Sequence, residues 1–417
     1  MVMAVAMNGR RSPLVGVLFI ICYFSIQQAA DGFLLSPHHR ASSRKQIAAN
    51  QRMTANNYSE DGGNWHVPSP SQPYHLSRRS AIAISVTAAL APLSIPTLPA
   101  NAVGSSIPNW TLDGGVEFPM LALNTAGMSV DETYQAIEFA RKEGMTHIDF
   151  HPGYERDGMA KYLSKHMEER DLLFLNTKIR TPPRGITPED AATLARDQIN
   201  EDLDILNVKN VDMLMLRDSP DPKVIQAQWA VLEEALAEGK ARSIGVINYC
   251  PSALKSVLQT AKVLPAVNYI MVHVGMGSDV HGLRSLGEKA GIRTFAYGQT
   301  GEPFPNVEIG NNPILKRIGN AHGGKSPEEV SLKWVLQNGI AASIRPSSSF
   351  GKCVGEECQL GITKQTRCFD WTLNDEEMVE LDAMTSPDDN PTLFSSAGCP
   401  GAFGSPEYMK AVFSKLK

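Results

Sequence analysis

The sequence predicts an α/β protein, a single closed (β/α)8 barrel of the TIM-barrel class over residues 103–417. Three observations predict it. Eight short apolar runs alternate with amphipathic stretches after residue 103, the mark of repeated strand–helix units and so of a parallel sheet. Eight such units in about 315 residues suit a cylinder better than an open sheet. The unusual polar residues fall at the ends of the runs, on the face where a barrel gathers its chemistry.

The chain opens with an address rather than a fold. Arg10 and Arg11 precede an apolar run that closes at Gln27-Gln28-Ala29-Ala30, which makes residues 1–30 a signal peptide. The run is too short for a membrane anchor, which needs about twenty apolar residues. Residues 31–76 are rich in Ser, Arg and Lys, with no Asp or Glu between Phe33 and Asn57, and read as a disordered transit-type segment. Residues 77–102 then carry Ser77-Arg78-Arg79-Ser80, a second apolar stretch and Ala100-Asn101-Ala102, similar to a twin-arginine thylakoid transfer signal. Their order predicts a chloroplast-type plastid, and within it the thylakoid lumen. A retained membrane helix over 81–98 is the alternative, and Pro92 and Pro96 count against it.

The expected barrel strands are 120–124, 146–149, 172–177, 211–216, 242–246, 266–270, 292–297 and 340–344. Helices between them carry start signals. Ser129 with Glu132 and Ser326 with Glu329 match the capping box, in which a hydroxyl and a carboxylate satisfy the first free N–H groups. Gly144 and Gly239 suit helix C-termini.

Composition excludes some partners. Lys and Arg number 39 against 44 Asp and Glu, with no block of like charge, so neither nucleic acid nor an anionic membrane is indicated. A small molecule is the default partner, and the barrel is expected to act as a monomer. Six cysteines are too few for a disulfide scaffold. A disulfide among Cys353, Cys358, Cys368 and Cys399 is an option in an oxidising compartment. A metal site is weakly indicated, because no second ligand pair follows.

The strand ends offer Asp149 and Tyr154 after the second strand, Lys178 after the third, Arg217 and Asp218 after the fourth, Asn248 after the fifth and Tyr297 after the seventh. With Phe118-Pro-Met-Leu-Ala-Leu-Asn-Thr125, His147-Ile-Asp-Phe-His-Pro-Gly-Tyr154, Asn176-Thr-Lys178 and Gly239-Lys-Ala-Arg-Ser-Ile-Gly-Val246, the chain resembles the aldo-keto reductases from Phe118 to about Met384. The resemblance implies an NADP(H)-dependent oxidoreductase of small carbonyl compounds. It places Asp149, Tyr154 and Lys178 in the catalytic set, with Tyr154 as general acid. A phenol near pKa 10 needs a neighbouring ammonium to donate its proton at neutral pH.

The fourth catalytic member of the family is a His, and Arg217 stands in its place. Two cations about 4 Å apart repel by roughly 4 kcal/mol at an effective dielectric near 20, so Arg217 beside Lys178 needs carboxylates to offset it. The resemblance also implies cofactor contacts from Thr125, Asn248, Tyr269, Tyr297, Arg345, Ser347 and Lys352, where Ile247 and Tyr269 replace polar residues that grip the nicotinamide. Two readings stay open: an active reductase, or a catalytically inactive or repurposed barrel in which Arg217 holds an anionic ligand or the barrel binds a protein partner.

Overall fold

The structure, a computed structural model, describes residues 107–384 apart from 278, 280–282, 300–306 and 347–351. The address segments within 1–102, Cys22, Ser347 and Cys399 lie outside the described residues.

A short hairpin comes first, β1 (Asn109–Thr111) and β2 (Glu117–Pro119), followed by β3 (Leu121–Asn124), α1 (Val130–Lys142), β4 (His147–Asp149), α2 (Tyr154–Lys165), β5 (Phe174–Lys178), α3 (Pro188–Leu206) and β6 (Val211–Arg217). The second half runs α4 (Pro222–Ala237), β7 (Ala241–Ile247), α5 (Pro251–Leu258), β8 (Val267–Met271), α6 (Leu283–Lys289), β9 (Arg293–Tyr297), α7 (Val307–Asn311), α8 (Pro313–Ala321), α9 (Pro327–Gln337) and β10 (Ala341–Ile344), and ends in α10 (Gly355–Thr366) and α11 (Asp375–Asp382). Strands β3 to β10 form a closed parallel barrel in sequence order, with β10 returning to pair with β3. This is the expected (β/α)8 architecture, and each strand lies within two residues of its expected bounds.

Local signals explain the helix ends. Ser129 and Ser326 each form the expected reciprocal capping box, and Asn374 with Glu377 forms a third at α11. Gly144 and Gly239 adopt φ of 80° and 71°, the left-handed region that ends a helix without steric cost. Among the described residues, no helix is long and apolar enough to cross a membrane.

The hairpin is an element the strand count does not anticipate. Gly114 and Gly115, at φ 79° and 75°, turn the chain between its two strands. It stops the N-terminal end of the cylinder. Phe118 is fully buried, with ring centroids 4.8 Å from His147, 5.1 Å from Phe174 and 5.1 Å from Phe295. Those partners are inward residues of β4, β5 and β9, so the lowest layer inside the barrel is aromatic. His147 is satisfied there from both sides, its Nδ1 2.9 Å from the Pro119 carbonyl and its Nε2 3.2 Å from Asn176 Nδ2. Burial lowers its imidazole to about 4, so it is neutral at neutral pH.

Of the disulfides weighed, Cys353–Cys358 is present at the start of α10, with both residues fully buried. Cys368 is free and buried, and burial pushes its thiol up to about 12. Cys250, which the spacing did not single out, is disulfide-bonded too.

Candidate active site at the C-terminal mouth of the barrel

Side chains along a strand alternate between faces, so the parity of one inward residue sets the rest. In the lower layers Phe174, Met213, Val267 and Phe295 point in and form an apolar plug with Phe118. Two residues further along β4, Asp149 shares that inward face with His147, as Lys178 shares it with Phe174 and Asn176 on β5. Arg217 and Tyr269 follow from the same register on β6 and β8. The upper interior is therefore polar because it stands above a greasy floor.

Asp149 and Lys178 are both fully buried and form an ion pair. Taking two charges out of water costs several kcal/mol each unless further hydrogen bonds satisfy them. They do here. Asp149 Oδ2 accepts from the Tyr269 hydroxyl at 2.7 Å and from the Ser343 hydroxyl, and Lys178 donates to the Phe150 carbonyl at 3.1 Å. Asn124 donates to the Tyr269 oxygen at 3.1 Å and so turns its proton toward the carboxylate. Burial alone would raise the Asp149 carboxyl, but the charges of Lys178 and His151 and the Ser343 hydroxyl outweigh it and hold it below the usual range. Burial lowers the Lys178 ammonium, against the pull of Asp149 and Glu155.

A second buried carboxylate closes the rim. Glu155 accepts from Thr125 Oγ1 at 3.1 Å, from the Gly127 N–H at 2.9 Å and from both the N–H and the Nδ1 of His151 at 2.9 and 2.8 Å. Thr125, expected at the cofactor, thus ties the loop after β3 to α2. Burial would raise the Glu155 carboxyl, and His151, the Gly127 N–H and Lys178 bring it down.

Arg217 ends β6 at the mouth, and its guanidinium makes no hydrogen bond or ion pair with any described residue. Burial lowers its pKa, while Tyr297, Glu155, Tyr269 and Asp149 favour its charge. Tyr297 is half-buried beside it, its ring edge-on to Tyr269 at 5.0 Å and its hydroxyl donating to Asn248 Oδ1 at 2.8 Å. Asn248 sits at φ 61°, a left-handed conformation that Asn tolerates better than most residues. Arg345 follows β10, half-buried, and Lys352 is exposed beyond it.

The expected set is brought together with one exception. Asp149, Lys178, Tyr269, Tyr297, Asn248 and Arg217 share the mouth, whereas Tyr154, at the first turn of α2 beside it, makes no hydrogen bond with them. Tyr154 is 73% exposed and makes no hydrogen bond among the described residues. The cause is where α2 begins. Gly153, at φ 108° and ψ −136°, precedes a helix whose first residue is Tyr154, and in that first turn Glu155 and Arg156 face inward. Tyr154 heads the helix face that continues through Gly158 and Tyr162, both buried, so its exposure reflects its place at the open first turn of the helix. Tyr269 also departs from expectation, since its hydroxyl is committed to Asp149. Four participants were missed in the sequence: Asn124, His151, Glu155 and Ser343. Strand parity points to Asn124 and Ser343, while nothing local marks the other two.

A cleft also opens at the opposite end, lined by Trp110, Asp113, Arg284, Glu288 and Arg293. There Arg284 pairs with Glu288 at 3.0 Å, and Arg293 lies over the Trp110 ring at 5.1 Å.

Comparison with known proteins gives a consistent result. The sequence profile described as the Aldo/keto reductase family matches residues 119–384. An aldo-keto reductase of Mycobacterium leprae is 31% identical over 248 residues, covering 59% of this chain and 83% of that protein. Morphine 6-dehydrogenase of Pseudomonas putida is 28% identical over 284 residues, covering 66% and 90%. Among solved structures, an aldo-keto reductase from a Medee basin deep-sea metagenome library superposes with a TM-score of 0.60 at 20% identity, covering 69% of this chain and 97% of that one. A Bombyx mori aldo-keto reductase in complex with NADP does so at 0.54 and 22% identity, covering 66% and 92%. At such identities the superpositions establish the fold.

Proposed function

The chain belongs to the aldo/keto reductase family, and from that premise we propose that it is an NADP(H)-dependent oxidoreductase of small carbonyl compounds. The observation that carries this is the wholly buried Asp149–Lys178 pair at the barrel mouth, locked by Tyr269 and Ser343. Charges are held in such a place at a cost to stability, and sites of chemistry are where proteins accept it.

The residues present fit a nicotinamide dinucleotide. Tyr297 offers a half-buried aromatic face fixed by Asn248, and Arg345 and Lys352 bring positive charge for phosphates at the end of β10. A reduced nicotinamide, when bound, supplies a hydride. The Lys178 ammonium keeps the mouth electropositive where negative charge develops on the carbonyl oxygen, and Asp149 holds that ammonium in place. NADP as the partner is supported by the silkworm relative, whose structure contains it. Titration of the purified protein with NADPH, followed by nucleotide fluorescence, tests the proposal. Quenching or a blue shift is expected, and no binding at millimolar nucleotide would end it.

A second reading is favoured by Arg217 itself: a guanidinium without a hydrogen-bond partner among the described residues suits a carboxylate or phosphate on the ligand. Either the carbonyl compound is an anion, or the barrel binds an anion without turnover. Thermal shift with carboxylates and phosphates separates these from a neutral-substrate enzyme, because the stabilisation must vanish in Arg217→Ala. We also propose that residues 1–102 carry this barrel to a plastid, and there to the thylakoid lumen, on the strength of the three signals in their order.

A further inference from the structure

Positive charge stands at separate places on the rim, and the strand order keeps them apart. In the closed cylinder β10, which Arg345 directly follows, is four strands from β6 in either direction, so Arg217 ends the opposite wall. Phosphates held at the end of β10 therefore leave Arg217 for another anion. We propose that this anion is the carboxylate of the carbonyl substrate itself, and that the substrate is a 2-oxo carboxylate lying between Lys178 and Arg217. The assignment rests on the oxidoreductase reading above and narrows its substrate class.

Arg217 is placed to meet a ligand. Its own carbonyl accepts the Tyr249 hydroxyl at 3.3 Å, which fixes the strand end. Its register partner on β7, Ile247, belongs to the buried apolar lining and offers the guanidinium no acceptor. The nearby carboxylates are occupied. Asp149 accepts from Lys178, Tyr269 and Ser343, and Glu155 accepts four hydrogen bonds from Thr125, Gly127 and His151. The fields of Glu155 and Asp149 thus favour the charge of Arg217, yet no hydrogen bond or ion pair joins its guanidinium to a described residue. A planar fork of N–H donors left in this way matches the paired oxygens of a carboxylate.

Spacing selects the class. Lys178 closes β5 and Arg217 closes the neighbouring β6, two residues beyond Met215, the register partner of Lys178. Adjacent strands lie about 4.8 Å apart, and the fields of both cations reach one ring, that of His151. Cations converging so closely suit a carbonyl and a carboxylate on adjoining carbons rather than at the two ends of a longer chain. In reduction, C2 of the substrate gains the hydride that the reduced nicotinamide supplies, and the C=O π pair moves to oxygen. That oxygen takes the proton that the family resemblance assigns to Tyr154, which recovers one from water. The products are a 2-hydroxy carboxylate and the oxidised nicotinamide. Arg217 exchanges no proton; it orients the substrate and offsets the carboxylate charge that would otherwise oppose hydride arrival.

Two measurements on the purified protein decide the matter. The first needs no turnover: oxamate, an analogue of a 2-oxo acid that accepts no hydride, is titrated calorimetrically into the NADPH-saturated protein, with neutral oxamide as control. Oxamate should bind, oxamide should not, and Arg217→Gln should weaken oxamate by about 100-fold, the scale of a lost charge-assisted contact. No oxamate binding, or a weakening below tenfold, overturns the assignment. The second follows NADPH oxidation with pyruvate, its neutral amide pyruvamide, and succinic semialdehyde, whose carboxylate stands further from the carbonyl. In the wild-type protein kcat/KM for pyruvate should exceed that for pyruvamide by about 100-fold, a ratio that should fall to within threefold of one in Arg217→Gln. A wild-type ratio below tenfold, or a preference for succinic semialdehyde over pyruvate, overturns it, and neither result depends on how well the variant folds. Failure of the wild-type protein to bind NADPH sinks the oxidoreductase reading instead, so the two failures are distinguishable.

Discussion

Tyr269 donates its hydroxyl to Asp149 Oδ2 across 2.7 Å, from the opposite wall of the barrel. The phenol that contacts the buried carboxylate therefore comes from a strand rather than from the helix that carries Tyr154. Removing it leaves a buried charge short of one donor, and Asn124 loses its acceptor. Tyr269→Phe should cost about 2 kcal/mol of stability, the scale for a hydrogen bond to a charged group, read from the urea midpoint. A change below about half of that would show that the Asp149–Lys178 pair is held by its other contacts alone.

Phe118 plugs the floor with edge contacts to three rings. Truncation opens a cavity among residues that cannot collapse, because they stand on separate strands. Phe118→Ala is expected to destabilise the fold by about 3–5 kcal/mol, and calorimetry with a loss under about 1 kcal/mol would refute the plug.

Acid should weaken the protein before most carboxylates titrate. His147 and His273 are buried and neutral, each lowered to about 4 by burial. The unfolded chain binds their protons near 6.5, so between pH 6.5 and 4 the unfolded state holds more protons and stability falls with pH. The contribution is fully present above 6.5 and lost below 4, up to about 3 kcal/mol per histidine. Denaturation midpoints at pH 7, 5.5 and 4.5 check this, and His147→Asn should flatten the slope.

A fluorescent protein fused behind residues 1–102 should accumulate in the thylakoid lumen of an alga whose plastid is reached through the secretory route. Changing both Arg78 and Arg79 to Lys should hold it in the stroma. Secretion or cytosolic residence of the unmodified fusion is the result that sinks the proposed route.

Much of the barrel was legible because its determinants are local. Apolar runs such as Val211–Leu216 and capping pairs such as Ser326 with Glu329 mark elements by their own composition, and strand parity then turns Asp149 and Lys178 inward. The hairpin was harder to see, since its strands are three residues each and only Gly114-Gly115 betray the turn. The rim failed for a different reason. Counting five residues from Asp149 to Tyr154 fixes a position at the start of α2, but the spacing does not say that Tyr154 is exposed there and without a hydrogen bond among the described residues. His151 and Glu155 gain their roles from contacts with Thr125, Gly127 and the fields of Lys178 and Arg217, none of which adjoins them in the chain.

The seam of the cylinder, where Leu121 of β3 lies beside Ala342 of β10, joins the two ends of the fold. β3 cannot shield its outer edge until β10 has been synthesised. A chain cut short before Ala341 would display a bare parallel edge, the kind of template on which proteins aggregate. Assembly of this molecule is thus an all-or-nothing event that awaits nearly its last helix, and late nonsense mutations should be as damaging as early ones.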